Sequence, residues 1–272
     1  MTSALDDPRW QEILEDRTHG ASVLIDWTLE FLTGIPEVRN AELLLTEVEK
    51  TLSANHAGIP ALINICNLLR AELQAEQTLK SAADALLKKR AEHKTSVILE
   101  AGKLISASPK VMSISYSGLV RDAILKAREL GSHPTLFIGE GRPQNEGLLL
   151  AVELAQKGIE TVVFTDIAFA NFLKEVQLVI VGADAVFENS FINKVGTRIL
   201  LDFARLNSVK TVLLYDFTKL VPPELKPREF QSHPEKEILG DFSPPQSLRV
   251  VNRYFEEIPI SLIDLEIGKS GK

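Results

Sequence analysis

The chain has 272 residues, 45% of them hydrophobic, enough for a sizeable core in one large domain or two small ones. Its 30 Lys and Arg against 37 Asp and Glu give a net charge of −7, which argues against general nucleic-acid binding because the phosphate backbone repels such a chain. The single cysteine, Cys66, excludes an internal disulfide and fits a reducing compartment.

Met1 to Arg9 carries Asp6, Asp7 and Arg9 and lacks the apolar stretch of a signal peptide. No window reaches the roughly 18 apolar residues of a membrane span, so a cytoplasmic protein is expected. The spacing of Val23, Leu24, Trp27, Leu29, Phe31 and Leu32 predicts a helix from Ala21 to Leu32, ended by Gly34-Ile35-Pro36. Further helices are predicted over Ala41 to Leu52, Pro60 to Leu73 and Gln77 to Leu104, and Cys66 reads as a buried residue of the third. The run Lys88-Lys89-Arg90 reads as a solvated helix face.

The pattern changes between Ser106 and Pro109. Strands are predicted at Val111 to Ser115, Thr135 to Ile138, Thr161 to Phe164, Leu178 to Val181 and Thr211 to Tyr215. Helices are predicted between them, at Gly118 to Leu130, Gly147 to Lys157, Ala168 to Lys174 and Thr197 to Leu206. Alternation of helices with almost wholly apolar strands implies a parallel sheet covered on both faces. A proline-rich loop follows Asp216, a strand-like pattern resumes at Val250 to Phe255, and Gly268 to Lys272 is expected to fray. The fold class is therefore α/β, with a helical domain over 1–105 and a parallel-sheet domain over 106–272.

In an open parallel sheet, ligands bind outside the carboxyl ends of the strands. Three segments fall there. Ser113 to Ser117 offers small hydroxyls and the free N–H groups of a helix start, although Ser117 serves equally well as a plain N-cap. Gly139 to Gly147 contains Arg142, whose direction Pro143 fixes and whose guanidinium suits a phosphate; the alternative is a turn with a solvated Arg. Gly182 to Thr197 follows the most apolar strand and gathers Asp184, Asn193 and Lys194, a set suited to a phosphorylated hydroxy compound. The alternative there is a structural ion pair between Asp184 and Lys194. The five histidines show no metal-ligand spacing, and neither a Walker loop nor Gly-x-Gly-x-x-Gly is present. No metal or cofactor is expected.

Gly182-Ala-Asp-Ala-Val186 followed by Asn193-Lys-Val-Gly-Thr197 resembles the signature of one superfamily. It holds the alpha, beta and delta subunits of eukaryotic translation initiation factor 2B, methylthioribose-1-phosphate isomerase and ribose-1,5-bisphosphate isomerase. Arg142-Pro143 with Gly147, Tyr116-Ser117 with Val120, and Val251-Asn-Arg-Tyr-Phe-Glu256 match further motifs. Asp16-Arg17-Thr18-His19-Gly20-Ala21 resembles the N-terminal motif of related chains. The resemblance covers nearly the whole chain. It implies a helical domain followed by a Rossmann-like domain, dimers through the latter, and Arg17, Ser115, Ser117, Arg142, Asn193 and Lys194 around a ligand. In the isomerases of this group a Cys after the first strand and the Asp of Gly-Ala-Asp move protons between aldose and ketose phosphates. Asp184 matches that Asp.

Three departures set the chain apart. Ser115 aligns with the catalytic Cys, and a hydroxyl does not readily ionise near pH 7. The loop Glu188-Asn-Ser-Phe191 lacks the usual Gly and is one residue short, and Gly141 stands where Thr is usual. The resemblance is closer to the alpha-type branch of the initiation factor. It implies a regulatory protein binding a phosphorylated sugar or nucleoside monophosphate, as a homo-oligomer or beside partner subunits. The alternative is an aldose–ketose isomerase using Asp184 and Ser115.

Overall fold

The structure, a computed structural model, describes residues 4–16, 20–35, 40–56 and 58–269. Five helices come first. Helix α1 (Pro8–Glu15) starts at Asp7, whose carboxylate accepts the Arg9 N–H, with Pro8 in the first turn, where its missing N–H costs no intrahelical bond. Helices α2 (Ala21–Thr33), α3 (Ala41–Asn55) and α4 (Pro60–Glu72) follow, and Asn40 caps α3 through the Leu43 N–H. The long α5 (Leu79–Ala107) opens with a reciprocal cap between Thr78 and Ser81. Trp10 of α1, Leu24, Ile25 and Leu29 of α2, Leu45 and Leu52 of α3, and Leu62 and Ile65 of α4 form one core. Cys66 is buried in it as expected.

The second part runs β1 (Lys110–Ser113), α6 (Gly118–Glu129), β2 (Thr135–Gly139), α7 (Glu146–Gln156), β3 (Glu160–Phe164), α8 (Phe169–Phe172) and β4 (Leu178–Gly182). It continues through β5 (Ala185–Val186), β6 (Ser190–Lys194), α9 (Thr197–Leu206), β7 (Lys210–Leu214), α10 (Lys236–Leu239), β8 (Phe255–Pro259) and β9 (Leu265–Ile267). Six strands form a parallel sheet in the order β3-β2-β1-β4-β7-β9. Its strands divide their side chains between two cores because successive residues point to opposite faces. Val111, Leu136, Ile138, Leu178, Ile180 and Val212 pack on α5, α6 and α7. Met112, Phe137, Val179, Val181 and Leu213 face α8, α9 and a small antiparallel sheet, β5-β6-β8.

That small sheet corrects the sequence reading, which predicts no strand within 182–197. Val186 and Phe191 turn to the large sheet, while Ala185 and Ile192 join the helical core. The strand expected from Val250 instead begins at Phe255, because Asn252 is drawn into side-chain bonds with the Pro234 carbonyl and Glu237. Helix α1 and strand β9 are likewise additions to the sequence reading. Helix α5 serves both cores, with Leu79 and Leu86 in the first and Val97, Ala101 and Ile105 in the second. Arg90, read as part of a solvated face, is 1% exposed because it crosses from α5 to the loop after β7.

Candidate functional site at the strand switch point

The strand order reverses between β1 and β4, which opens a crevice at their carboxyl ends. After β1 the chain turns at Ser115, which holds φ 61°, a left-handed conformation that costs a non-glycine residue on the order of 1–3 kcal/mol. Ser117 then caps α6, its hydroxyl accepting the Val120 N–H. Opposite, a Cβ on Gly182 would lie 2.6 Å from Ser117 Oγ, so the two strand ends approach this closely only with glycine there. Asp184 follows, its N–H bonded to the Ile192 carbonyl at 2.8 Å. Between these segments lies a cavity of about 90 Å³ lined by Ser115, Ser117, Asp184, Asn193, Asp216 and Lys219.

The cavity is dense in buried charge. Burial pushes the Asp184 carboxyl above its ordinary value, and Glu146 adds to this against the pull of Lys219 and Lys194. Burial brings the Lys219 ammonium down to about 8 despite Asp184 and Asp216 beside it. Burial acts to raise Asp216 as well, but Arg90 and Lys219 outweigh it and hold that carboxyl low. Arg90 Nε donates to Asp216 Oδ1 at 3.2 Å and to Thr218 Oγ1 at 3.2 Å. Its Nη2 donates to Ser22 Oγ at 2.7 Å, and its Nη1 contacts Asp26. One guanidinium thus fastens α2, α5 and the loop after β7.

Lys194 lies beside the cavity, 3% exposed. Its Nζ is 2.9 Å from Glu146 Oε2 and 4.6 Å from the Tyr254 ring centroid, yet no hydrogen bond satisfies it, since the carboxylate is within ion-pair reach but off the hydrogen-bonding direction. The same Glu146 oxygen accepts the Ser115 hydroxyl at 2.8 Å. The expected alternative, an Asp184–Lys194 ion pair, is not the pairing found: Lys194 meets Glu146. Asn193 Nδ2 donates to Thr197 Oγ1 at 3.0 Å, and Thr197 donates to the Lys194 carbonyl at 2.6 Å, which fixes the turn into α9. Glu256 accepts the Gly196 and Arg198 N–H groups at 2.8 and 2.9 Å and so caps that helix. Two larger cavities, of about 300 and 570 Å³, share Gly20 and Glu146 as lining residues.

Ser115, Ser117, Asp184 and Asn193 come together as the sequence suggests, and Lys194 reaches Ser115 through Glu146. Arg142 does not join them. Its backbone N–H donates to Asp166 Oδ2 at 2.7 Å and its exposed guanidinium donates to the Glu237 carbonyl at 3.0 Å. Arg17 lies outside the described residues. Glu146, Lys219, Asp216 and Arg90 escape the sequence reading. Glu146 stands inside a segment already singled out, and Lys219 follows β7, a strand end to which the same placement rule applies. Among the described residues no cluster of three or more His, Cys, Asp or Glu is arranged to hold a metal, and no helix is long and apolar enough to cross a membrane.

A six-stranded parallel sheet with a 3-2-1 reversal, a helical N-terminal part and a charged crevice at the switch point define a Rossmann-like α/β protein. The initiation factor 2 subunit family matches residues 21–272, and the chain belongs to that family. A putative translation initiation factor eIF-2B subunit 2-like protein of Pyrococcus horikoshii is 28% identical over 216 residues, 78% of each chain. The ribose 1,5-bisphosphate isomerase of Methanocaldococcus jannaschii is 31% identical over 153 residues, which cover 54% of this chain and 49% of that enzyme. The crystal structure of the Pyrococcus horikoshii translation initiation factor eIF-2B shares the fold with a TM-score of 0.79 at 22% identity, over 98% of this chain and 95% of that one.

Proposed function

We propose that this chain holds a phosphorylated sugar or a nucleoside monophosphate in the switch-point crevice and acts as a regulatory member of its family. The observation that carries this reading is the Lys194 ammonium, buried beside Ser115 without a hydrogen bond. Glu146 Oε2 at 2.9 Å gives the ammonium an ionic partner but no well-directed hydrogen bond, and phosphate oxygens supply the acceptors it lacks. The name of the isomerase relative, which acts on a phosphorylated sugar, supports the ligand class. Ser115 at the position of the family's catalytic Cys supports binding without turnover, since an unactivated hydroxyl is several pKa units harder to ionise than a thiol. A homodimer through the sheet-bearing part, docking to partner subunits, a cytoplasmic location and a division at residues 105 and 106 belong to the same proposal. Thermal shift with ribose 5-phosphate, methylthioribose 1-phosphate and adenosine monophosphate tests it. At least one raises the melting temperature of the wild type and not of Lys194→Ala; no shift from any of them at millimolar concentration refutes the reading.

A second reading, aldose–ketose isomerase, draws support from Asp184 and Lys219. One carboxyl pushed up and one ammonium brought down to about 8 share a cavity, which is how acid–base pairs are tuned. Assays with ribose 1,5-bisphosphate and methylthioribose 1-phosphate separate the two. The binding reading expects negligible turnover, and robust turnover abolished by Asp184→Asn reverses the order of preference.

A further inference from the structure

Glu146 is the first residue of α7, and the helix does not need its side chain to pack: Gly147, Leu150, Ala151 and Leu154 are the residues it buries. The carboxylate turns into the crevice instead. One oxygen, Oε2, takes both the Ser115 hydroxyl at 2.8 Å and the Lys194 ammonium at 2.9 Å. A hydroxyl donor and a buried ammonium converging on one anionic oxygen is the arrangement a phosphate oxygen requires. Glu146 therefore stands in the place of a ligand anion, and it lines both larger cavities, of about 300 and 570 Å³. The side chain is 21% exposed, so it has open space to swing into, whereas Lys194 at 4% has none.

We propose that Glu146 is an internal anion that a ligand's phosphate must displace from Lys194 and Ser115, and that it thereby restricts the site to dianionic ligands. This rests on the reading of the crevice as a phosphate site. A monoanion entering in place of the carboxylate exchanges one unit of charge for another and gains nothing at Lys194. A phosphate dianion doubles the charge facing the ammonium at the same distance.

Titration calorimetry of the full chain with ribose 5-phosphate and with ribose 5-sulfate, a monoanion of the same shape, tests this. The wild type is expected to bind the phosphate at least about tenfold more tightly than the sulfate. Glu146→Gln keeps the size of the side chain and removes the competing charge. It is expected to bind both probes about tenfold more tightly than the wild type, so that the sulfate, which gains nothing at Lys194 against the carboxylate, becomes a ligand. Glu146→Ala reports the same two quantities if the Gln variant does not fold. A purely structural Glu146 lowers the melting temperature when replaced but leaves both affinities unchanged, and that result overturns the proposal. Lys194→Ala separates the two levels of inference. If it weakens binding while Glu146→Gln does not strengthen it, the displacement idea alone fails; if wild type and both variants bind neither probe, the phosphate site fails and the displacement idea with it.

Discussion

Replacing Arg90 with Met tests whether one buried guanidinium ties the helical part to the sheet. Arg90 and Asp216 are each 1% exposed at the side chain, so neither charge has water to fall back on. Met keeps most of the volume of the Arg stem, so the cost is electrostatic rather than a cavity. Asp216 would keep Thr218 and Lys219 but lose its main counter-charge, and breaking one side of a buried pair costs about 3–5 kcal/mol. Whole domains are stable by roughly 5–15 kcal/mol, so this is a large fraction. With a urea slope of about 3 kcal/mol per molar, the midpoint falls by about 1–1.7 M. Urea titration followed by fluorescence of Trp10 and Trp27 and by circular dichroism gives the shift. The pH dependence carries a sign. Asp216 is held below its ordinary carboxyl value, so its contribution is present above that value and lost as pH falls toward the lower folded one. The variant should show a flatter acid limb. A midpoint within about 0.3 M of wild type, an energy below about 1 kcal/mol, refutes the reasoning.

Lys194→Ala is expected to weaken binding of a phosphorylated ligand by about 1.5–3 kcal/mol in calorimetry, whereas Arg142→Ala, whose guanidinium rests on the Glu237 carbonyl, should change it by less than about 0.5 kcal/mol. Equal losses in both variants would mean that the loop turns inward on binding. Gly147→Ala places a Cβ 1.9 Å from the Gly139 carbonyl oxygen, backbone against backbone, and should destabilise by at least about 1–3 kcal/mol in a thermal melt; a wild-type melting temperature contradicts the close helix–strand approach. Lys219 gives opposite signs for binding and folding. Its folded value of about 8 lies below the ordinary 10.5, so the native state sheds the proton first and stability from this group rises between those values. Affinity for an anionic ligand should fall over the rise through 8, and Lys219→Met should remove both trends; their persistence in the variant would assign them elsewhere.

The parallel sheet and the helical start are legible because their signals are local. Apolar strands such as Leu178 to Val181 alternate with amphipathic helices, and each element declares itself within a few residues. The Gly182 to Thr197 signature is legible for the same reason, and it leads to Asp184, Asn193 and Lys194. Tertiary structure alone decides how those residues pair. Lys194 meets Glu146 rather than Asp184, and Arg142 turns outward to a carbonyl 95 residues further along. Arg90 reads as one more charge on a lysine-rich helix until its partner, 126 residues away, is brought against it. The strands β5 and β6 are short and each face is covered by a different core, so no alternation marks them. Sequence patterns report what a segment prefers by itself. A buried charge is decided by the counter-charge the fold delivers to it, because the free energy of taking an ion out of water depends on that partner and not on its neighbours in the chain.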